Sequence, residues 1–426
     1  MANVFDYLRW RGDLSFEASP LCEVDALIFC ELSYIFFDGI VPSELSKGTV
    51  TLAQAAETFF ERNTDREVIS LGELVPREIV DLFRIAATTK RFASVEIGQF
   101  INIIDNETIE QFSALSFFPN KYNVFIAYRG TDDSIAGWRE DFRMAYLTPV
   151  PAQRRASEYL SSIAASHEGS ITVGGHSKGG NLAMWAGLNA PDSICSRIDK
   201  IYNFDGPGFL DDVWVSADYE RIADRISTVI PKGSVVGLLL KYDKKYRVTR
   251  SEAKKYLHQH NALTWNVMGC EFECDADIAP DVKKTNDLVG KWIYSMEPEK
   301  REAFIEGFFD ILSSTNAKTL TDLAASKSEV IRAFSNIDPE TKQALMTGIK
   351  LFFGEGYSSF MEQFKSLFKK KDDEENTEKP AQEPSKKLPK QSRNVKKPVK
   401  VHKNPPRKAQ KNACPKGRKT KNCKKK

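Results

Sequence analysis

The chain predicts an α/β protein built on a mostly parallel sheet with helices on both faces, followed by a helical C-terminal appendage and a disordered basic tail. Three observations carry this. Between Phe112 and Thr249 short β-branched and aromatic runs alternate with segments of helical period, the grammar of βαβ units. The runs stop at clusters of turn residues, which bring polar side chains to the carboxyl ends of strands. From about Asp281 apolar residues recur at helical spacing, and past Lys371 that periodicity is lost. The division predicted is a domain over residues 1–275 with a helical part over 1–100, a helical region over 276–370 and a tail over 371–426.

Taken in order, Asn3 to Phe16 mixes aromatics and charges densely enough to predict a segment packed on the domain. Leu27, Ile28, Phe29, Leu32, Ile35 and Phe36 recur at near-helical spacing with Asp25 as N-cap, and 51–62 and 76–89 read as amphipathic helices. Strands are predicted over 112–118 and 123–128, joined by a turn at Pro119-Asn120-Lys121. A helix with Tyr159, Leu160 and Ile163 on its apolar side leads into a strand at Ile171-Thr172-Val173. Further strands are read at 200–204, 225–230 and 246–249, and the stretch from Pro207 to Arg221 is a candidate lid. In the appendage Phe304, Ile305, Phe308, Phe309 and Ile311 form one stripe, and Leu320, Leu323, Val330, Ile331 and Phe334 a second. Asp338-Pro339-Glu340 starts another helix. The appendage either packs on the sheet domain or pairs with another subunit.

Composition narrows the setting. Asp6, Arg9, Arg11 and Asp13 interrupt the N-terminal stretch, so it has no secretory leader pattern, and no run approaches the ~18 uncharged apolar residues of a membrane helix. A cytoplasmic location is therefore expected. Seven cysteines, odd in number and scattered, argue against a disulfide framework; Cys270 and Cys274 lack the two further ligands of a metal site. From Gln391 to Lys426 there are fifteen Lys and Arg and no acid; taking these from the net charge of +3 leaves −12 for the rest. Such a tail suits an anionic membrane or nucleic acid, or is merely solvating, and few aromatics interleave its lysines for base stacking.

One stretch carries chemistry. Ile171-Thr172-Val173-Gly174-Gly175-His176-Ser177-Lys178-Gly179-Gly180 reads as strand, sharp turn and helix start, and contains the G-x-S-x-G pattern of a nucleophile elbow. Gly175 and Gly179 remove side chains that would clash around so tight a turn. A serine nucleophile needs a base and an acid to orient it. Of the five histidines, His402 lies in the tail, His167 closes a surface helix, and His176 points away from the Ser177 hydroxyl or lines the pocket. His258 and His260 remain, both downstream of Ser177, with His260 preferred beside Asn261 and near Trp265. Asp205, at a strand end before Gly206 and Gly208, is the preferred acid, with Asp243, Asp224 and Asp212 in reserve; its competing reading is a cap on those glycine amides. Thr131, or its alternative as a turn cap, and Lys178 are candidates for oxyanion donors through their backbone N–H groups, and Arg129 with Asp141 reads as a structural pair.

Together Tyr128-Arg129-Gly130-Thr131, Trp138 with Asp141, Gly175 to Gly180, and Phe204-Asp205-Gly206-Pro207-Gly208 resemble the class 3 lipase branch of the α/β-hydrolase superfamily. The opening Phe5 to Asp13 looks like the bacterial Mbeg-like family, a lipase-like domain of unknown function in intracellular proteins. The resemblance implies a serine hydrolase fold, with Ser177 as nucleophile, Thr131 at the oxyanion position and His260 as base. The acid departs from the pattern: class 3 lipases place it after the next strand, whereas Val229 to Val236 contains no carboxylate. Either Asp205 serves or the triad is incomplete. The leading expectation is an esterase or lipase-like enzyme working through an acyl-enzyme without metal or cofactor. The alternative is a catalytically weak scaffold that binds a partner through its helical region and tail.

Overall fold

The computed structural model describes residues 1–325, less 65–68, 73–74, 211, 243–244, 255, 276 and 315–316. The chain divides into units of residues 1–372 and 373–426, and the described residues all belong to the first. The helix start at Asp338, the apolar positions from Val330 on and the basic tail lie outside the described residues.

Helices α1 (Val4–Arg11) and α2 (Glu23–Leu32), strand β1 (Val50–Thr51), and helices α3 (Leu52–Arg62) and α4 (Glu78–Ala86) open the chain. Three strands follow, β2 (Glu96–Asp105), β3 (Glu110–Asn120) and β4 (Asn123–Tyr128), then α5 (Ile135–Arg143) and α6 (Pro151–Ser166). The middle of the chain is β5 (Ser170–His176), α7 (Lys178–Leu188), α8 (Asp192–Cys195), β6 (Ile198–Phe204), α9 (Ala217–Ile222), β7 (Ile226–Pro231) and β8 (Tyr246–Thr249). Beyond it lie α10 (Tyr256–Gln259), the short strands β9 (Val267–Met268), β10 (Glu271–Phe272) and β11 (Cys274–Asp275), and helices α11 (Pro280–Ser295), α12 (Pro298–Ser313) and α13 (Leu320–Ala325).

Among the described residues nine strands form one sheet in the order β1-β2-β3-β4-β5-β6-β7-β8-β11. The five central strands, β4 to β8, are parallel, as expected; β1 to β3 add an antiparallel arm at one edge and β11 an antiparallel strand at the other. Parallel strands taken in sequence by right-handed crossovers place their connecting helices on one face. Accordingly α6, α7 and α9 share one core with Val124, Ile126, Ile171 and Val173. The opposite face would be left bare, and helices α1 to α4 cover it, with Phe29 stacked on Phe117 at 4.3 Å between ring centroids. Alternate residues of β4 serve the two cores, as a strand buried on both faces requires.

Some local expectations change. α2 starts at Glu23 with Cys22 as N-cap residue, so Asp25 is not the cap; it sits one turn in, where its Oδ2 accepts from Cys22 N at 2.9 Å. Asp25 also takes Arg91 in two hydrogen bonds of 2.6 and 2.7 Å, both side chains fully buried. Arg129 pairs with Asp132 at 2.9 Å and not with Asp141. From the candidate lid stretch Phe209 and Tyr219 pack, with Ile222 just beyond it, into the core shared with α7 and not over the site.

The roof comes instead from α11 and α12, whose Val289, Ile293, Ile305 and Phe309 pack against Ile135 and Ala145. Arg139, Arg143 and Tyr146 converge on Glu306 of α12, with Arg143 donating twice at 2.7 Å. Burial opposes ionisation of Glu306, but hydrogen bonds from Arg143, Tyr146 and Arg139 pull its carboxyl down to about 2 from an ordinary 4.5. A depressed carboxyl stabilises the fold fully above its unfolded value, and that contribution is lost as pH falls through about 2. Hydrogen exchange followed from pH 5 downward is expected to show α12 amides losing protection ahead of β5. Simultaneous loss in both elements would contradict this docking.

Candidate active site

Ser177 occupies the turn between β5 and α7 with φ 58° and ψ −133°, a backbone conformation costly for a residue with a Cβ. Glycines on either side make the turn sterically open. A Cβ built on Gly175 would lie 2.1 Å from the Gly179 carbonyl carbon, and one on Gly179 would lie 2.0 Å from the Tyr128 oxygen. The backbone of α7 can therefore press against β5 and β4 only where both positions lack side chains. The hydroxyl is left at the carboxyl end of the central strands, next to a helix N-terminus whose first N–H groups have no intrahelical acceptor.

Asp205 follows β6 in the left-handed region, φ 53°, which Asp tolerates better than most residues. Its side chain is fully buried. Oδ2 lies 2.6 Å from His260 Nδ1 and Oδ1 accepts from Gly237 N at 2.9 Å. The competing cap reading does not hold, because the Gly206 N–H donates to Asn203 Oδ1 at 2.9 Å. Burial raises the Asp205 carboxyl above its ordinary value, against the pull of His260, Ser234 and Gly237. The segment after β7, which carries no acid, instead supplies donors to the acid after β6. Asp212 and Asp224 are exposed and Asp243 lies outside the described residues.

The loop carrying His260 is pinned on both sides. Trp265 donates its indole N–H to the Gln259 carbonyl at 2.8 Å, Gly233 N donates to Gln259 Oε1 at 2.8 Å, and Asn261 caps Leu263 N at 3.0 Å. His258 is exposed at the cavity rim. His260 is a quarter exposed and lines the same cavity as Ser177.

Gly130 brings the third strand end in. A Cβ there would meet the His176 oxygen at 2.7 Å and Ser177 Cβ at 3.2 Å, so the Gly130-Thr131 backbone lies directly against the serine. The Thr131 hydroxyl is 2.5 Å from Asp141 Oδ2 and donates to it. Asp141, about a quarter exposed toward the cavity, is pushed up to about 6 by burial, with Lys178 and Thr131 pulling the other way. The Lys178 side chain turns inward: its ammonium bonds Glu140 Oε2 at 2.5 Å and the Gln111 carbonyl at 2.9 Å, both partners buried. Ser177, Asp205, His260, Thr131 and the Lys178 backbone thus come together at one end of the sheet.

The Mbeg1-like family profile matches residues 86–310, more than half of the chain. The chain belongs to the Mbeg1-like family. Curated proteins give no match. Among solved structures the crystal structure of M37 lipase is similar at 15% identity with a TM-score of 0.35, covering 57% of this chain and 90% of that one.

In this Mbeg1-like protein the residues above open on a cavity of about 790 Å³. Its roof is Ile293 of α11 with Phe304 and Ile305 of α12, and Val236, Leu239 and Leu240 form one wall. Glu31 and Tyr34, from α2 and the turn after it, line its floor beside His176. The apolar stripe of the appendage contains Phe304 and Ile305 and its packing on the sheet domain is one of the two expectations, but no sequence pattern signals that they roof this cavity or that Glu31 and Tyr34 reach it. Glu31 sits inside an apolar run that reads as plain core, and Glu140 and Asp141 lie on a helix whose burial depends on α12. The only residue of the stretch 207–221 lining the cavity is Pro207, among the described residues. No helix among the described residues is long and apolar enough to cross a membrane.

Proposed function

We propose that this protein is a serine hydrolase that cleaves acyl esters through an acyl-enzyme on Ser177. The observation that carries the reading is a buried carboxylate, Asp205, gripping His260 by Nδ1 in the cavity where a serine stands on a strained strand-to-helix turn. Donation from Nδ1 to Asp205 fixes the tautomer that leaves the Nε2 lone pair free to accept. His260 Nε2 takes the Ser177 proton as Oγ bonds to the ester carbonyl carbon, and the carbonyl electron pair moves to oxygen. The Lys178 and Thr131 N–H groups hold that oxyanion. When it collapses, the C–O bond to the alcohol breaks, and His260 returns the proton to the departing oxygen. Water then repeats the sequence against the acyl-enzyme and releases the acid.

Apolar roof and wall residues around the cavity favour an ester with an aliphatic acyl chain. Each methylene buried contributes about 0.8 kcal/mol, so four more carbons supply about 3 kcal/mol, or ~10²-fold in kcat/KM. Going from p-nitrophenyl acetate to hexanoate is expected to raise kcat/KM by about that factor, with Ser177→Ala inactive on both. A flat series would sink the acyl-chain assignment, and full turnover by Ser177→Ala would sink the hydrolase reading.

A further inference from the structure

We infer that His176, the residue before the elbow serine, is a positioning residue for His260, and that Glu31 on α2 sets its tautomer. The inference rests on the hydrolase reading for its catalytic meaning and on geometry for its content. His176 Nε2 lies 2.8 Å from the backbone oxygen of His260, and a carbonyl can only accept, so Nε2 carries a proton. The two imidazoles lie 30° from parallel with centroids 4.6 Å apart, so the ring of His176 is also the surface on which His260 rests. Its other nitrogen, Nδ1, is buried and has no hydrogen-bond partner among the described residues except what Glu31 can provide. Glu31 Oε1 stands 3.4 Å away, likewise buried and likewise without a hydrogen-bond partner, a separation that a small side-chain rotation closes to hydrogen-bond distance.

Two buried polar atoms facing each other satisfy one another if a proton lies between them. Nδ1 of an Nε2–H imidazole is an acceptor, so Glu31 must donate, which needs its neutral form. Burial alone pushes the Glu31 carboxyl up to about 8, and burial with His260 nearby drives His176 well below its ordinary value. Both groups are then uncharged at neutral pH, and the relay runs from the Glu31 O–H to His176 Nδ1, and from His176 Nε2–H to the His260 carbonyl. Asp205 fixes His260 from the imidazole side; His176 fixes it from the backbone side and from below. The elbow thereby ties the base to the nucleophile, and α2, which otherwise only covers the sheet, reaches the site with one side chain.

The test pairs spectroscopy with kinetics on the full chain. In ¹⁵N-histidine spectra at pH 7, His176 is expected as the neutral Nε2–H tautomer, and Glu31→Ala is expected to shift its Nδ1 resonance. Finding His176 protonated, or as the Nδ1–H tautomer, overturns the inference whether or not the protein turns over an ester. In Ser177-dependent ester hydrolysis, His176→Phe keeps a ring and loses both nitrogens. It is expected to lower kcat by up to about 10²-fold, with KM within twofold, because a displaced base is felt in the chemical step. His176→Gln, whose amide can donate to the His260 carbonyl, should recover part of that loss. Glu31→Gln, which keeps a donor toward Nδ1, should retain more activity than Glu31→Ala. Equal kcat in wild type and His176→Phe, with His260 resonances unmoved, overturns the inference while leaving the hydrolase reading standing. Absence of any Ser177-dependent turnover removes that reading instead, and the tautomer measurement still decides the geometry.

Discussion

Asp205→Asn is expected to lower kcat by about 10⁴-fold while leaving the protein folded and KM little changed. Asn fits the left-handed backbone at this position and its amide oxygen can still accept from Gly237 N. What changes is the group facing His260. An amide NH₂ in place of Oδ2 can only donate, so His260 Nδ1 must become the acceptor and the proton moves to Nε2. The lone pair that would receive the Ser177 proton is then gone, and loss of the correct tautomer at such a triad costs about four orders of magnitude. Steady-state kinetics beside a thermal melt checks this. A loss below tenfold in a folded variant would mean that Asp205 does not orient the base.

Lys178→Ala is expected to destabilise the fold by about 3–5 kcal/mol, the cost of leaving a buried charge without its partner. The lysine side chain is 1% exposed and Glu140, 2.5 Å away, is completely buried. Glu140 also accepts from Gln111 N at 3.0 Å and from Ala152 N at 2.8 Å, so one carboxylate ties together β3, the start of α6 and the start of α7. Removing the ammonium strands that carboxylate in the interior. Lys178→Met combined with Glu140→Gln removes both charges and should cost clearly less than Lys178→Ala alone. Urea unfolding of the three proteins gives the comparison. A change below about 1 kcal/mol for Lys178→Ala would mean that water reaches the pair.

Legibility in the sequence followed locality. The elbow reads correctly because everything that makes it, the β-branched strand, the paired glycines and the small residues of α7, lies within about a dozen positions. Asp205 and His260 are recoverable one step further out, since strand ends are visible in the pattern and a parallel sheet gathers them at one edge. Strand β2 escapes because it is bent by a register shift between Gly98 and Ile101, with Gln99 at φ 53°, which breaks its alternation. Side-chain partners fixed by how helices and loops pack, and not by a strand end, are not legible. Asp25 looks like a cap because it does bond a helix-start amide, yet its burial with Arg91 depends on the chain returning much later. Asp141 finds Thr131 and Lys178 instead of Arg129 because α5 turns that face toward the elbow, and Asp132 is closer to the guanidinium. Glu31 has no sequence signal whatever; its meaning comes from the histidine it meets.

The most direct test of the account is covalent labelling of the folded protein with a fluorophosphonate, followed by peptide mapping. Attack on the phosphorus displaces fluoride and leaves a stable adduct only on a serine whose proton is taken by a nearby base. One adduct is expected, on Ser177, absent from Ser177→Ala and strongly slowed in Asp205→Asn. A well-folded wild-type protein that remains unlabelled, or one labelled elsewhere with Ser177 untouched, would contradict it.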